Sequence, residues 1–116
     1  MAAKLEDLRS VTDLDRAIGE SSERPVLLFK HSLTCGVSTR ALGELQSYLN
    51  KADPRISCKL ITVQSARAVS DEAASRLQIE HQSPQAILVR NGRELWNASH
   101  YDITASALDR AIRTSD

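Results

Sequence analysis

The dipeptide Asn91-Gly92 is the feature that most restricts how this 116-residue chain can fold. It stands between two apolar segments, 86–89 and 95–98, whose composition is typical of β-strands. An Asn-Gly pair in this setting favours a tight β-hairpin, because both residues tolerate positive backbone φ angles. The chain is therefore expected to contain an antiparallel pair of strands near its C-terminal end.

The rest of the sequence alternates between helical and strand-like patterns. The first half of the chain predicts a helix from Thr12 to about Gly19, a strand over 26–30 and a helix from Gly36 to about Lys51. A strand over 56–63 and a helix from Ser65 or Ser70 to about Leu77 follow. The two hairpin strands come next, and a last helix is opened by Asp102 or Thr104. Residues 1–11 are weakly patterned, and we expect them to lead into the domain.

The order of these elements restricts the topology. A strand, a helix and a second strand form a parallel, right-handed unit in nearly all proteins. Joined to the antiparallel hairpin, this unit predicts an α/β fold with a four-stranded mixed sheet and helices on both faces. That layout resembles the thioredoxin-like fold. The length fits a single domain over residues 1–116 with a core over about 11–113.

Composition argues against several classes of partner. Fifteen basic and fifteen acidic side chains cancel, so no basic surplus indicates nucleic acid or an anionic membrane. The longest apolar runs are far shorter than the roughly 20 residues that span a bilayer. The start of the chain carries acidic residues and no apolar segment, so no signal peptide is predicted. Two cysteines in such a chain favour a reducing, cytoplasmic location over a disulfide framework.

Cys35 is the residue on which a chemical function would depend, since it follows a polar loop and stands where the second predicted helix begins. The first amides of a helix and the positive end of its dipole stabilise a thiolate, the reactive form of cysteine. The alternative is an inert, buried cysteine, because free cysteine is among the most buried residue types. Ser38 stands where a second cysteine would close a local disulfide, so Cys35 is restricted to a monothiol route of thiol–disulfide exchange.

Cys58 is the second thiol of the chain. It lies near the start of the strand 56–63, whereas Cys35 follows the end of the strand 26–30. In parallel strands these positions are about 13–16 Å apart at ~3.3 Å per residue, and a disulfide needs Cα atoms within about 7 Å. We therefore expect Cys58 to pack in the core and not to pair with Cys35.

Three separated motifs carry a resemblance to a known family. The motifs are Lys30-His31-Ser32 ahead of Thr34-Cys35, His81-Gln82-Ser83-Pro84-Gln85, and Trp96-Asn97-Ala98-Ser99-His100 followed by Asp102-Ile103-Thr104. Together they resemble the YtxJ-type monothiol bacilliredoxins, thioredoxin-like proteins of the bacillithiol system, over about residues 11–113. The family usually has Thr-Cys-Pro-Ile, whereas Gly36 and Val37 follow the cysteine here. Gly36 thus replaces a proline, which suits the first position of a helix. Unlike proline, Gly36 has a backbone N–H at that position.

The resemblance implies a function and a site. Cys35 would be catalytic, the bond before Pro84 would be cis and lie beside it, and the backbone of Ser83 would pair with the substrate as an added strand does. Bacillithiol, or a similar small thiol, would be the co-substrate, with no tightly bound cofactor.

Several polar residues are expected near Cys35. His31, His81 and His100 each follow or precede a strand at the same end of the sheet, and we expect one or more of them to favour the thiolate or relay a proton. Lys30 and Arg40 are candidates to attract the carboxylates of a small anionic thiol, although a solvated charge is the preferred interpretation of Arg40. Thr34 is a candidate to bond the thiolate or to cap the helix, and Trp96 is expected in the core.

These observations favour a cytoplasmic thiol–disulfide oxidoreductase that removes bacillithiol from protein mixed disulfides. Its expected partners are those mixed disulfides, the small thiol and a disulfide reductase, without nucleic acid or membrane. One alternative is an iron–sulfur carrier, because Cys35-Gly36-Val37-Ser38 is similar to the Cys-Gly-Phe-Ser of monothiol glutaredoxins. A non-catalytic adaptor is another. A metal site of three histidines and Cys35 is disfavoured, because the histidine spacing follows strand ends and not a compact ligand motif.

Overall fold

A computed structural model describes residues 5–52 and 54–115 of the protein. These residues form a mixed β-sheet with helices on both faces. The strands are β1 (Leu5–Asp7), β2 (Val26–His31), β3 (Ser57–Thr62), β4 (Gln85–Arg90) and β5 (Arg93–Ser99), and the helices are α1 (Val11–Glu20), α2 (Gly36–Leu49), α3 (Arg67–Leu77) and α4 (Ala105–Arg113). A 3-10 turn, His100–Asp102, links β5 to α4.

The sheet has the order β1-β3-β2-β4-β5. Strands β1 and β2 run parallel to β3, whereas β4 is antiparallel to β2 and β5 is antiparallel to β4. The predicted mixed sheet, its parallel unit and its hairpin are therefore confirmed. Over the described ranges the sheet has five strands, not the predicted four.

The strand that sequence reasoning missed is β1, which lies within the segment 1–11. It has three residues, of which Leu5 is partly buried while Glu6 and Asp7 are exposed. A strand this short at the edge of a sheet carries no alternating pattern that the sequence could show. Its position comes from pairing with β3, in which Leu5 lies beside Cys58, and from packing of Leu5 on the core.

Strand β2 lies in the middle of the sheet and is buried along its whole length. Its alternate side chains enter two separate cores. Leu27 and Phe29 pack with residues of α2 and α4, whereas Val26 and Leu28 pack with residues of α1 and α3. This double burial explains why the segment reads as a continuous apolar run. It also means that Lys30 and His31, the last two residues of β2, point to opposite faces of the sheet.

The helix boundaries differ from the predicted ones by a few residues. Ser10, and not Thr12, caps α1, and α3 begins at Arg67, between the two serines proposed to start it. Thr104 caps α4, as one of the two predicted alternatives has it, because its hydroxyl accepts the Ala107 amide at 3.0 Å. Among the described residues, no helix is both long enough and apolar enough to cross a membrane.

The hairpin turn between β4 and β5 supplies a stability prediction, because Asn91 and Gly92 have φ angles of 54° and 75°. Replacing Gly92 by alanine places a Cβ in the left-handed region, and we expect the free energy of unfolding to fall by about 1–2 kcal/mol. Gly43→Ala is the matched control: this exposed glycine lies inside α2 with open space around it. There we expect a gain of about 0.5–1 kcal/mol. Urea denaturation of both variants measures the two values, and an unchanged or higher stability of Gly92→Ala would contradict the turn geometry.

Candidate active site

Cys35 is the N-cap residue of α2, four positions after the end of β2. Its backbone is extended, with φ −115° and ψ 120°, and its carbonyl accepts the Thr39 amide at 3.1 Å. The residue is half-buried, so the thiol is not sealed in the core. Within the described residues its side chain makes no capping hydrogen bond, and the first turn of α2 contains no acidic residue. The sulfur therefore lies at the positive end of a helix with no carboxylate beside it in that turn.

Three further residues lie in a row at the same end of the sheet. The pairs Lys30–Gln85 and Gln85–Ser99 fix the register, so His31, Pro84 and His100 occupy the next positions. The His100 amide donates to the Pro84 carbonyl at 3.1 Å, and this hydrogen bond extends the register by one step. The Ser83–Pro84 bond is cis, as the family resemblance implied. The chain leaves this row after His31 to reach Cys35.

His31 is fixed by a buried contact with Ser38. Its Nδ1 lies 2.8 Å from the Ser38 hydroxyl, and that oxygen also accepts the Ser32 amide at 2.9 Å. The Ser38 hydroxyl therefore bonds both the backbone of Ser32 and the ring of His31. Burial lowers the pKa of His31, which favours the neutral ring. The contact ties the first turn of α2 to the end of β2.

The loop between β2 and Cys35 is held by Gln64, a residue that sequence reasoning did not single out. Its Oε1 accepts the Leu33 amide at 3.1 Å, and its Nε2 donates to the Ser32 hydroxyl at 2.9 Å and to the Thr34 hydroxyl at 3.4 Å. Thr34 is therefore engaged with Gln64 and does not cap α2, where the N-cap is Cys35. Gln64 lies two positions after β3, at the sheet end that carries the histidines. The strand-end argument applied to those histidines would have found it.

Lys30 points away from the helix that carries Cys35. Its side chain is fully buried, and its Nζ donates to the Ser70 carbonyl of α3 at 3.0 Å and lies 3.1 Å from Nδ1 of His81. Burial lowers the pKa of Lys30 to about 8, against the opposing charge of Asp71. The expectation that Lys30 is an accessible charge for a small anionic thiol is therefore wrong, because the ammonium group faces α3 and not solvent.

The remaining predicted residues surround the proline loop or the helix start. His81 and His100 are exposed, and the hydroxyl of Ser83 is buried without a hydrogen-bond partner in the part of the chain that the structure describes. Gly36 is exposed at the first position of α2, and a Cβ built there meets nothing within 4 Å. The position has room for the proline that the family usually carries.

Two exposed apolar side chains belong to segments next to the site. Leu33, two residues before Cys35, is 65% exposed, and Tyr101, next to His100, is also 65% exposed. Arg40 of α2 lies over the Tyr101 ring, with its guanidinium carbon 5.2 Å from the ring centroid, and donates to the Ile103 carbonyl at 3.4 Å. Arg40 thus holds the segment after β5 against α2.

Cys58 is in the core, as predicted. It is 2% exposed, and burial raises the pKa of its thiol to about 12. It pairs with Leu27 in the sheet, four residues before His31, so it lies about 13 Å from the Cys35 end of the strand at ~3.3 Å per residue. Both cysteines are free. Trp96 packs against the core on the α2 and α4 side, as predicted.

No cluster of three or more His, Cys, Asp or Glu side chains suited to a metal ion occurs within residues 5–52 and 54–115.

Comparison with known proteins gives a family and a fold. The family described as monothiol bacilliredoxin BrxC matches residues 6–108 of this chain. A solved structure, described as a proposed oxidoreductase with a thioredoxin fold, is 31% identical, with a TM-score of 0.82 over 92% of each chain. Thioredoxins from Fasciola hepatica and Trypanosoma brucei brucei are 17% and 15% identical, with TM-scores of 0.74 and 0.75. The Fasciola match covers 96% of this chain and 99% of that thioredoxin, and the Trypanosoma match covers 97% and 91%. At these identities the two thioredoxins show the fold alone.

The different surroundings of the two thiols predict selective alkylation. At pH 8 we expect iodoacetamide to modify Cys35 of the folded protein and to leave Cys58 unmodified, because Cys58 is buried and its pKa is raised to about 12. Intact mass should show one adduct in the native protein, two after denaturation in urea, and none in native Cys35→Ser. Two adducts on the native wild type at equal rates would contradict this assignment.

The burial of Lys30 predicts a pH-dependent stability. Below about pH 8 the folded and unfolded forms both carry the proton, so the full cost of burying the ammonium group is present. Between about pH 8 and the ordinary value of 10.5 the folded protein releases the proton first, so stability rises with pH.

We therefore expect the free energy of unfolding of the wild type, minus that of Lys30→Met, to increase by about 2 kcal/mol from pH 7.5 to pH 10.5. Urea denaturation at a series of pH values measures this difference. Subtracting the variant removes the contributions of the other groups that titrate in this range, and a constant difference would show that Lys30 is not desolvated.

Proposed function

This chain belongs to the monothiol bacilliredoxin family, and from that premise we propose that it removes a small thiol from protein mixed disulfides through Cys35. One observation carries the proposal: a half-exposed cysteine begins α2, and no second thiol of the described chain lies within reach of it. Ser38 fills the nearest position for a resolving thiol, and Cys58 is buried in the core. Such a site supports exchange with an external disulfide and not closure of an internal one.

The proposed first step is a thiol–disulfide exchange. The Cys35 thiolate attacks the sulfur of the small thiol in the mixed disulfide, a new S–S bond forms between them, and the original S–S bond breaks. The protein thiol leaves as a thiolate and takes a proton from solvent. One disulfide replaces another, so no external oxidant or reductant is consumed.

Regeneration requires a second small thiol. Its thiolate attacks the small-thiol sulfur attached to Cys35, which releases Cys35 and gives a symmetric small-molecule disulfide. A disulfide reductase then reduces that product with an external electron donor. We propose bacillithiol as the small thiol, since the family match and the three sequence motifs both support that choice.

The surface around Cys35 suits a protein substrate. The residue before the cis bond, Ser83, lies two positions before β4, and we expect its backbone to pair with an extended segment of the substrate. Leu33, two residues before Cys35, and Tyr101, which contacts Arg40 of α2, supply exposed apolar area for such a segment.

The proposal is tested by intact mass after the protein is mixed with a bacillithiol-modified protein. We expect the wild type to gain one bacillithiol as the substrate loses it, and Cys35→Ser to gain none. Cys58→Ala is the matched control and should gain the adduct as the wild type does, because Cys58 lies outside the site.

Absence of any adduct on the wild type would contradict the proposal and favour a non-catalytic adaptor. A parallel reaction with a glutathione-modified protein tests the choice of thiol. Equal rates on both substrates would contradict the assignment to bacillithiol while leaving the exchange chemistry at Cys35 intact.

A further inference from the structure

A second polar cluster lies on the opposite side of β2 from the Cys35 helix. It joins the buried ammonium group of Lys30, the buried Ser70 of α3 and the exposed His81 of the loop that leads to Pro84. Two polar groups meet one ring nitrogen: Nζ of Lys30 lies 3.1 Å and the Ser70 hydroxyl 3.3 Å from Nδ1 of His81. The steps proposed above use none of these contacts.

The chemistry of the lysine ammonium group decides the protonation of the ring. A lysine ammonium group has three N–H donors and no acceptor, so the nitrogen that faces it must accept. Nδ1 of His81 therefore carries no proton, and in the neutral ring the proton is on Nε2. We propose that Lys30 and Ser70 are positioning residues that hold His81 as the neutral Nε2–H tautomer, with one N–H donor on the exposed edge of the loop before Pro84.

The charges around His81 act in the same direction. Burial lowers the pKa of His81, and the positive charges of Lys30 on β2 and Arg67 on α3 lower it further, while Asp71 on α3 opposes them. At neutral pH the ring is therefore uncharged. It contributes a directional hydrogen bond and not a positive charge.

A single neutral N–H donor near the proline loop fits an acceptor oxygen on the docked mixed disulfide. This last step rests on the proposed function. The acceptor is a carbonyl or carboxylate oxygen, which both the small thiol and the protein backbone carry. The assignment of the tautomer itself concerns the free protein and does not depend on any reaction.

Nuclear magnetic resonance of the unmodified wild type, labelled with nitrogen-15 in histidine, tests the tautomer directly. At pH 7, where Lys30 with its pKa of about 8 is mainly the ammonium group, we expect the resonance of Nδ1 of His81 in the range of an unprotonated ring nitrogen and that of Nε2 in the range of a protonated one. The reverse pattern, or equal mixing of the two tautomers, would overturn the proposal. Because no substrate is present, this result is independent of whether Cys35 forms an adduct.

A pair of lysine variants tests the role of Lys30. In Lys30→Met we expect the titration midpoint of His81 to rise and the two tautomers to mix, because a donor and a nearby positive charge are both removed. Lys51→Met, which removes an exposed lysine at the end of α2, is the charge-matched control and should leave His81 unchanged. An unchanged His81 in a folded Lys30→Met variant would overturn the role of Lys30, and the wild-type spectrum decides the tautomer if that variant does not fold.

Steady-state kinetics of His81→Ala test the donor itself. We expect KM for a bacillithiol-modified protein to rise several-fold while kcat changes by less than about twofold, as for an interaction made equally in the ground and transition states. An equal rise in KM for the symmetric bacillithiol disulfide would place the acceptor on the small thiol, and a rise only for the protein substrate would place it on the protein. An unchanged KM for both substrates would overturn the donor role.

Discussion

The burial of β2 on both of its faces is the constraint on which the site depends. A central strand with a core on each side fixes where every one of its side chains points. Its last two residues are polar, and each must therefore find a partner inside the protein. His31 meets Ser38 of α2 on one face, and Lys30 meets Ser70 and His81 on the other. The end of one strand thus positions both the helix that begins at Cys35 and the loop that leads to Pro84.

Strong local patterns made most of the fold predictable from sequence. Each of these patterns consists of several neighbouring residues that favour the same local structure. They are the Asn91-Gly92 turn, the apolar run of β2 and the amphipathic helices. Strand β1 has no such signal, since its three residues are placed by pairing with β3 and not by their own pattern. The cap of α3 was missed for a similar reason, because Ala66 has no side chain that could cap a helix.

The site was predicted less completely than the fold, and the reason is physical. The position of Cys35 follows from a strand, a loop and a helix in sequence order. The surroundings of Lys30 do not follow from sequence order. One of its partners is the backbone carbonyl of Ser70, 40 residues away, and every residue has a backbone carbonyl, so the sequence does not identify this partner. A lysine at the end of a strand is ordinarily assigned to solvent, since buried lysines are rare. Side chains of a strand alternate between the two faces of the sheet, so Lys30 lies on the same face as Leu28. Applying this alternation to the sequence would have assigned Lys30 to the face that α3 covers.

The hydrogen bonds of Ser38 bear on how a protein of this kind could change its chemistry over evolutionary time. The hydroxyl accepts from the Ser32 amide and bonds Nδ1 of His31, and both bonds rely on an oxygen that forms strong hydrogen bonds. A sulfur atom at the same position would be larger and would form both bonds weakly. A descendant that acquired a second cysteine here would gain a partner for Cys35 but loosen the start of α2. Conversion to a two-cysteine enzyme is therefore opposed by these hydrogen bonds, and a lineage would need compensating changes at the end of β2 to take that route.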